Sequence, residues 1–576
     1  MNRHLLRLLR LAFLFAVALM LAVGWDFWMN QPHQQQTGAT ELETTELNRT
    51  ISLSPDSASD RLLIYGDTNR DGVITSEDVE GRDTWSWTTG GLLLANVDDD
   101  DWKGYPDWQD QVVNGSQDAE DLARVKVNLP EEMQRNGNQV FIKVEGAARS
   151  FVHIFQLLPD AIALIDVIHP TSLVHLADVL ELGIEAKHFA HQNWDGFVDI
   201  RVIVRDTAGT EVATDQTRLR VAPWVMLPNS ASTTDVYVSA GAYENETMRT
   251  QLQEQLQHLG ATLHEYTTDW WEEMWMQDTM EIGYQEIPGH PRMHVVLRAN
   301  RDADRYPPTL LAPGMGYITV GESRDLAEGD HLVDWLGNLE VSHPVPEFPL
   351  GRIYYGRNGA TGVELQSEIV RFLEMQQVQS PVWVDTSWLA IKHVDEIFNF
   401  VPGPNGEAYL LINNAAMGIE QVENLDALGA GNLDIGYPPF PVSEALNYIE
   451  INQQIQQERL DPILEKAKQD FHLTGDRIIQ LPLLYSDVRE AYGLWSNSVN
   501  SIYVNGTVIA GDPLAPPIEG QDSIQRTIQQ QFDTVQIPVQ FVDDWSYQEN
   551  KGNVHCATNT RKEPVVADVW QNIPAG

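Results

Sequence analysis

The chain has 576 residues, 43% of them apolar, with 17 Trp, 17 Tyr and 16 Phe, enough for two to four packed domains. Its 37 Lys and Arg against 83 Asp and Glu give a formal charge of −46. That argues against nucleic acid as a partner and favours cationic ones: metal ions, or groups such as guanidinium and ammonium. One cysteine, Cys556, excludes an intramolecular disulfide and a thiolate-rich zinc or iron–sulfur centre. A buried small residue, a nucleophile and an incidental surface thiol stay open.

At the N-terminus, MNRHLLRLLR carries three arginines, and LAFLFAVALMLAVGW follows without a charge. A basic start before a short apolar run predicts an export segment over residues 1–25. It is either cleaved near Ala22-Val23-Gly24 or retained as a membrane anchor, with the mature chain extracellular or periplasmic. Residues 26–58, rich in Gln, Thr, Asn and Ser, predict a polar tether.

Residues 59–222 read as β. RLLIYGD, GLLLANVD, RVKVNL, NQVFIKVEG, FVDIRVIVRD and TRLRVAPW are short apolar or alternating runs between polar turns, the pattern of a sandwich of immunoglobulin size. Within this stretch DTNRDGVITSED has the form of a calcium loop. Asp67, Asn69 and Asp71 alternate as oxygen donors and Gly72 permits the turn. Val73 offers a carbonyl, Thr75 stands ninth and Asp78 closes the loop. The preceding RLLIYG reads as strand, so the loop is isolated, without a paired EF-hand. A second acidic cluster, NVDDDDWKGYPDWQDQ, supplies Asn96, Asp98, Asp100, Asp107 and Asp110 as candidate ligands, because crowded like charges need neutralising.

From residue 223 to 576 the texture becomes α/β. DVYVSAG, MHVVLRA, RIYYG, AYLLINN and SIYVNG alternate with helical stretches, ENETMRTQLQEQLQHLG and ALNYIEINQQIQQERLDPILEKAKQDF being the clearest. No short internal repeat is visible. Three stretches carry chemistry: EMWMQDTMEIGY with Asp278, WLAIKHVDEIFNF with His393 and Asp395, and GNVHCATNT with Cys556. Polar groups in an apolar run must be paired or serve a site. An extended HVDE would project His393 and Asp395 from one face.

Together WMQDTMEIGY, WLGNLEVSHPV, KHVDEIFNFVP and NVHCATNTRKEP resemble the catalytic domain of protein-arginine deiminases. RVAPWVMLPN, VYVSAGAYENE, FLEMQQVQSPV and VWQNIP extend the resemblance, and DGVITSEDVEGRDTWSWTTGG with LLLANVDDDD is similar to the family's immunoglobulin-like, calcium-binding middle domain. Coverage runs from about residue 60 to the end, without the first domain of the vertebrate members. The pattern reads as an exported, bacterial form with two folded domains.

The resemblance implies a five-bladed α/β-propeller and hydrolysis of peptidyl arginine to peptidyl citrulline and ammonia on arginine-containing proteins or peptides. It carries Asp278, His393, Asp395 and Cys556 over as catalytic residues, and Trp275 and Arg301 as substrate-binding ones. Two carboxylates suit the N–H fork of a guanidinium, a thiolate adds to its carbon, and an imidazole moves the protons. Calcium is the implied cofactor. One catalytic-domain site would use the side chains of Gln277, Glu281 and Glu340 and the carbonyls of Leu336 and Leu339. A neighbouring one is lost to Thr279, Arg298 and Ala299. The arginine that the family sets on the substrate backbone is replaced by Ala303, with Arg301 or Arg305 as substitutes. The alternatives are an enzyme acting on a free guanidino compound, a hydrolase or amidinotransferase, and a non-catalytic calcium-binding surface protein.

Overall fold

The computed structural model describes residues 61–573, apart from 136, 242–243, 269–270, 302–304, 325, 327–329 and 565–567. The predicted export segment and tether, and Ala303, lie outside the described residues. No described helix is long and apolar enough to cross a membrane.

Residues 61–221 form two antiparallel-rich sheets. One takes its strands in the order Leu63–Gly66, Ala123–Asn128, Val179–Ala186, Val152–Leu158, Ala161–Ile165; the other in the order Gly91–Leu93, Glu211–Val221, Phe197–Arg205, Gln139–Val144. Along Phe197–Arg205 the residues Val198, Ile200, Val202 and Val204 are fully buried while Asp199 and Arg201 face outward, the two-residue period of a half-covered strand. Their side chains meet Ile64, Val125, Ile154 and Leu182 of the other sheet in one core. The strands Val152–Leu158, Ala161–Ile165 and Val179–Ala186 have no counterpart in the sequence reading. FVHIFQLL and AIALI are apolar runs without clean alternation, joined by a tight hairpin at residues 159–160.

The same core continues past residue 222. The indole N–H of Trp224 donates to the Val295 carbonyl at 3.0 Å, the Gln376 amide donates to the Ala190 carbonyl at 2.9 Å, and the Gln285 amide donates to the Ala95 carbonyl at 2.6 Å. Phe189, Trp224 and Phe372 pack on one another. The predicted boundary near residues 222–224 therefore lies inside shared packing.

Beyond it stand five small sheets of one connectivity. In each, a leading strand pairs antiparallel with a second strand, which pairs parallel with a third reached by a crossover. The three strands are Met280–Gln285, Met293–Arg298 and Met315–Thr319, with Val225–Met226 added at the edge; Leu339–Val341, Ile353–Arg357 and Val382–Asp385; Phe398–Pro402, Ala408–Asn414 and Ile478–Pro482; Ile502–Val504, Thr507–Gly511 and Val539–Val542; and Thr558–Glu563, Ser232–Ala240 and Thr262–Thr267. Parallel partners need such crossovers, and helices supply four of them: Glu246–Leu259, Ser367–Gln376, Ala415–Ala427 with the helical run over residues 442–470, and Ser523–Asp533. Ser523–Asp533 starts because the Asp522 carboxylate accepts the N–H groups of Ile524 and Gln525, and it buries Ile524, Ile528 and Phe532 on one face. Glu246–Leu259 stops at Gly260, whose φ of +75° is the left-handed cap conformation.

Candidate active site

Every leading strand is preceded by a single tight turn, and these five turns meet. Met276–Thr279 carries Asp278, two residues before its strand. Leu336–Asn338 carries Gly337, and Val394–Glu396 carries Asp395 with His393 as its first flanking residue. Val554–Ala557 carries Cys556, and residues 497–500 form a turn closed by the Asn500 N–H on the Asn497 carbonyl. HVDE is not extended, as the sequence reading supposed. Its 3-10 turn is fixed by neighbouring amides: those of Asn413 and Asn497 both donate to the Glu396 carbonyl. His393 and Asp395 nonetheless enter the same site.

The four candidates come together from residues far apart in the chain. His393 Nδ1 lies 3.4 Å from Asp278 Oδ1. Its Nε2 lies 2.9 Å from the Leu332 carbonyl. A carbonyl only accepts, so Nε2 carries a proton and Nδ1 is the nitrogen that faces the site. Asp395 Oδ2 lies 3.4 Å from Cys556 Sγ, 3.0 Å from Asn500 Nδ2 and 2.9 Å from His555 Nδ1. All four side chains are buried. Asp278 Oδ1, His393 Nδ1, Asp395 Oδ1 and Glu396 Oε1 are buried with no hydrogen bond. Three of these are carboxylate oxygens, a deficit of donors and positive charge that a guanidinium, with its five N–H groups, would fill.

The electrostatics follow from burial among acids. Asp278 is held above the usual carboxylate range by desolvation, against the pull of His393 and Arg301. Burial, then Asp395, Asp278 and Glu396, push the Cys556 thiol well up, so without a cation beside it the sulfur keeps its proton. Gly337 lines the same space: a Cβ there would stand 2.7 Å from Asp278 Oδ1 and 2.8 Å from His393 Nδ1. Of the two substrate-binding candidates, Trp275 is buried, edge-on to Tyr547 and closely covered by Gly552. The Arg301 guanidinium lies over the Trp335 ring at 4.2 Å, and that ring in turn meets His393 edge-on.

Behind the thiol, Gln277, Glu281 and Glu340 line one narrow cavity with His555, Asn559 and Lys562. Gln277 is engaged at both ends, donating to Glu281 at 2.8 Å and accepting from Asn559 at 2.9 Å. His555 bridges Asp395 and Glu340, its Nε2 3.3 Å from Glu340 Oε1, and these acids raise it to about 9 against burial. Glu340 is pushed up to about 8 and Glu281 to about 7, chiefly by desolvation. Leu336 and Leu339 flank Gly337 and Asn338 in the next turn, and the Leu336 carbonyl already accepts the Leu339 N–H. The cavity thus brings the three predicted side-chain donors together with two basic side chains, His555 and Lys562, while Leu336 and Leu339 are not among its lining residues. Of the neighbouring, lost position, Thr279 is buried with its carbonyl on the Ala299 N–H at 3.0 Å, and Arg298 ends the adjoining strand.

In the first two sheets the acidic residues divide. Asp98, Asp100 and Asp121 bring carboxylate oxygens within 4.8 Å of one another, as do Asp99, Asp101 and Asp107. Asn96 Oδ1, Asp98 Oδ1 and Asp100 Oδ2 are buried without a hydrogen bond. Desolvation first, then mutual repulsion, raises Asp98 to about 7 and Asp107 to about 8. Such a donor set suits a hard divalent cation. Asp118 and Asp121 join this cluster, and the sequence reading missed them because they follow the Asp run on a separate short helix. Asp110 is turned instead to Lys103 and Asn114. In the other loop Asp67 accepts from Asp71 and Gly72 N–H, Asn69 from Asp71 N–H, and Asp71 from Val73 N–H. Asp78 closes it by accepting the N–H groups of Thr68, Asn69 and Thr75, the last as part of a capping box.

The sequence profile of the protein-arginine deiminase (PAD) family matches residues 211–571. The chain belongs to this family. It is a hydrolase acting on the C–N bonds of amidines. It is 28% identical to the rat protein-arginine deiminase type-4 over 86% of its own length and 80% of the relative's, and 27% identical to the human type-4 enzyme over 89% and 83%. Among solved structures, one titled a putative peptidyl-arginine deiminase aligns at 13% identity and a TM-score of 0.36 over 59% of this chain and 99% of that one.

Proposed function

We propose that the chain is an exported, calcium-linked deiminase that converts peptidyl arginine to peptidyl citrulline and ammonia through a covalent thiouronium on Cys556. The observation that carries this reading is the convergence of Asp278, His393, Asp395 and Cys556 around unpaired carboxylate oxygens. In this reading the five repeated sheets are the blades of an α/β-propeller, residues 59–222 are an immunoglobulin-like domain, and residues 223–576 are the catalytic domain.

The guanidinium enters between Asp278 and Asp395, whose charges orient its N–H groups. Its positive charge offsets the three carboxylates that keep the thiol protonated, so binding and ionisation of Cys556 are coupled. The Sγ–Cζ bond forms as the thiol loses its proton, and the π pair moves to nitrogen. The Cζ–Nη bond then breaks, the leaving nitrogen taking up that proton through His393 Nδ1, and ammonia departs. Water adds to the cationic thiouronium carbon, losing a proton to His393. The Sγ–Cζ bond breaks with its electron pair returning to sulfur as the C=O bond forms. The hydroxyl proton passes to the sulfur to leave citrulline and the thiol, and the proton held by His393 goes to the released ammonia. In this reading Trp275 and Arg301, the latter over the Trp335 ring that meets His393, take part in holding the substrate.

Calcium would be held by Asn96, Asp98, Asp100 and Asp107, with Asp118 and Asp121 adding oxygens, and by the loop of Asp67, Asn69, Asp71, Val73 and Asp78. There it supplies charge that these acids lack. The set of Gln277, Glu281, Glu340, Leu336 and Leu339 fits the ion less freely, because His555 and Lys562 already share its cavity.

The test is ammonia release and citrulline formation on a blocked arginine peptide, on free arginine and on agmatine, each with calcium and with chelator. Turnover of the peptide and its loss in Cys556→Ala are expected. Turnover of the free compounds alone would favour the small-molecule reading. No turnover on any guanidine, with calcium still bound, would favour the surface protein.

A further inference from the structure

Four of the five converging turns present a residue whose chemistry the sequence singled out or whose backbone the site requires: Asp278, Gly337, Asp395 and Cys556. The fifth turn, ahead of the strand Ile502–Val504, presents Asn500, two residues before its strand as Asp278, Gly337 and Cys556 are before theirs. Asn500 is buried, and both ends of its amide are engaged with the nucleophile. Its Oδ1 lies 3.1 Å from the backbone nitrogen of Cys556. A backbone N–H can only donate, so that end of the amide is the oxygen and the other end is the nitrogen. Nδ2 then stands 3.1 Å from Cys556 Sγ and 3.0 Å from Asp395 Oδ2, both acceptors. The Asn500 carbonyl also receives the His555 N–H at 3.2 Å, so the peptide on either side of the thiol's neighbour is anchored to the same residue.

We propose that Asn500 is a fifth catalytic residue, whose amide N–H stabilises the Cys556 sulfur as its proton leaves and aims it at the guanidinium carbon. The backbone N–H of Asn553 supports the sulfur from the chain itself. Among the described residues the side-chain hydrogen-bonding neighbours of Sγ are Asn500 Nδ2 and Asp395 Oδ2, and of these only the first can donate to a thiolate. A Lys or Arg in that place would stabilise the thiolate more strongly. It would also repel the cationic substrate and neutralise Asp395, which the substrate needs. A neutral amide avoids both, because it offers a dipole and no net charge. Its second hydrogen keeps Asp395 Oδ2 on the sulfur's side, leaving Oδ1, which has no hydrogen bond, for the guanidinium.

The inference rests on the thiol chemistry proposed above, and its test pairs a readout of the sulfur that needs no turnover with one of kcat. Cys556 is the only cysteine in the chain, so alkylation by iodoacetamide, followed by mass as a function of pH, reports this sulfur alone. Asn500→Ala removes the donor, and Asn500→Asp keeps the Oδ1 acceptor for the Cys556 N–H while replacing the donor with a carboxylate. Expected are an alkylation midpoint displaced to higher pH in Asn500→Ala and further in Asn500→Asp. A fall in kcat of about 100- to 1000-fold, the scale for one donor to a developing anion, should come with little change in KM for a guanidine. If Asn500→Ala fails to fold, Asn500→Asp carries the test alone. An unchanged alkylation profile beside a lower kcat would reduce Asn500 to a packing role. Unchanged kcat would overturn the proposal outright. Failure of the thiouronium reading would show separately, as activity surviving in Cys556→Ala.

Discussion

At the scale of single residues, the site is short of room and of positive charge at once. Gly337 makes the first point. Adding a methyl group would place carbon against Asp278 Oδ1 and His393 Nδ1 at distances below van der Waals contact. Gly337→Ala is therefore expected to lower kcat by about 100-fold, the scale at which small misplacements act, with a melting temperature close to that of the parent. His555 makes the second point. It is buried between Asp395 and Glu340 and holds its proton up to about 9. A cation whose folded value is raised stabilises the protein fully below the unfolded value of about 6.5, and this stability is lost as pH rises through about 9. Glu340, raised to about 8, acts in the same direction, since between the unfolded value of about 4.3 and about 8 the folded state keeps a proton that the unfolded state has lost. Thermal melts from pH 6.5 to 9 should show falling stability. His555→Ala, which leaves buried carboxylates uncompensated, should cost about 3 kcal/mol and flatten the part of the slope due to His555.

At the scale of elements, the recurring unit is a tight turn, a leading strand, a second strand, a crossover and a third strand. Burial against the crossover helix holds each unit, and Phe532 of Ser523–Asp533 is fully enclosed. Phe532→Ala should cost about 3–5 kcal/mol in a denaturant melt, whereas an exposed position of the same helix such as Gln530 should tolerate Ala within about 0.5 kcal/mol. The sequence reading found the second strand of four units, the leading strand of another and the helices Glu246–Leu259 and over residues 442–470, where the apolar period is clear. It named none of the third strands nor the helices Ser367–Gln376, Ala415–Ala427 and Ser523–Asp533. The fivefold repetition was not legible. Its sameness lies in strand order and in where the turn stands, while the turns themselves read QDT, LGN, VDE, VNS and HCA and share no residue pattern. The same fact hid Asn500. Unlike the His-x-Asp pair or the lone thiol, an asparagine in SNSVNS has no chemical signature until the fold sets it on the sulfur. The four candidates Asp278, His393, Asp395 and Cys556, which the fold brings together, stood out for the opposite reason: carboxylate, imidazole and thiol each have their own chemistry, and the motifs around them are long. The 3-10 form of HVDE was missed because alternation alone cannot reveal the Asn413 and Asn497 amides that cap it from elsewhere.

At the scale of the whole molecule, the acidic cluster and the catalytic sheets are physically continuous. Asp98 accepts the Gly314 N–H at 2.7 Å, one residue before the strand Met315–Thr319, whose sheet is led by the turn bearing Asp278. Because Asp98 and Asp107 carry raised values of about 7 and about 8, stability without a metal falls as pH climbs from the unfolded carboxylate value of about 3.9 up to those values, where the loss is complete. Calcium at about 100 times its Kd should add about 2.7 kcal/mol and should remove most of this loss above pH 7. Asp98→Asn with Asp121→Asn should raise stability in chelator and abolish the response to calcium, read by calorimetry with and without the ion. The last of the five sheets has a different consequence. Its central and third strands, Ser232–Ala240 and Thr262–Thr267, come early in the sequence, but its leading strand is Thr558–Glu563, which pairs back onto Ser232–Ala240 across more than three hundred residues. The thiol rides on the turn just ahead of that strand. During synthesis, then, the turns bearing Asp278, His393 and Asp395 are made first, and the thiol arrives only as the fifth sheet is completed. A chain that stops before residue 556 holds these carboxylates and this imidazole without the sulfur they surround.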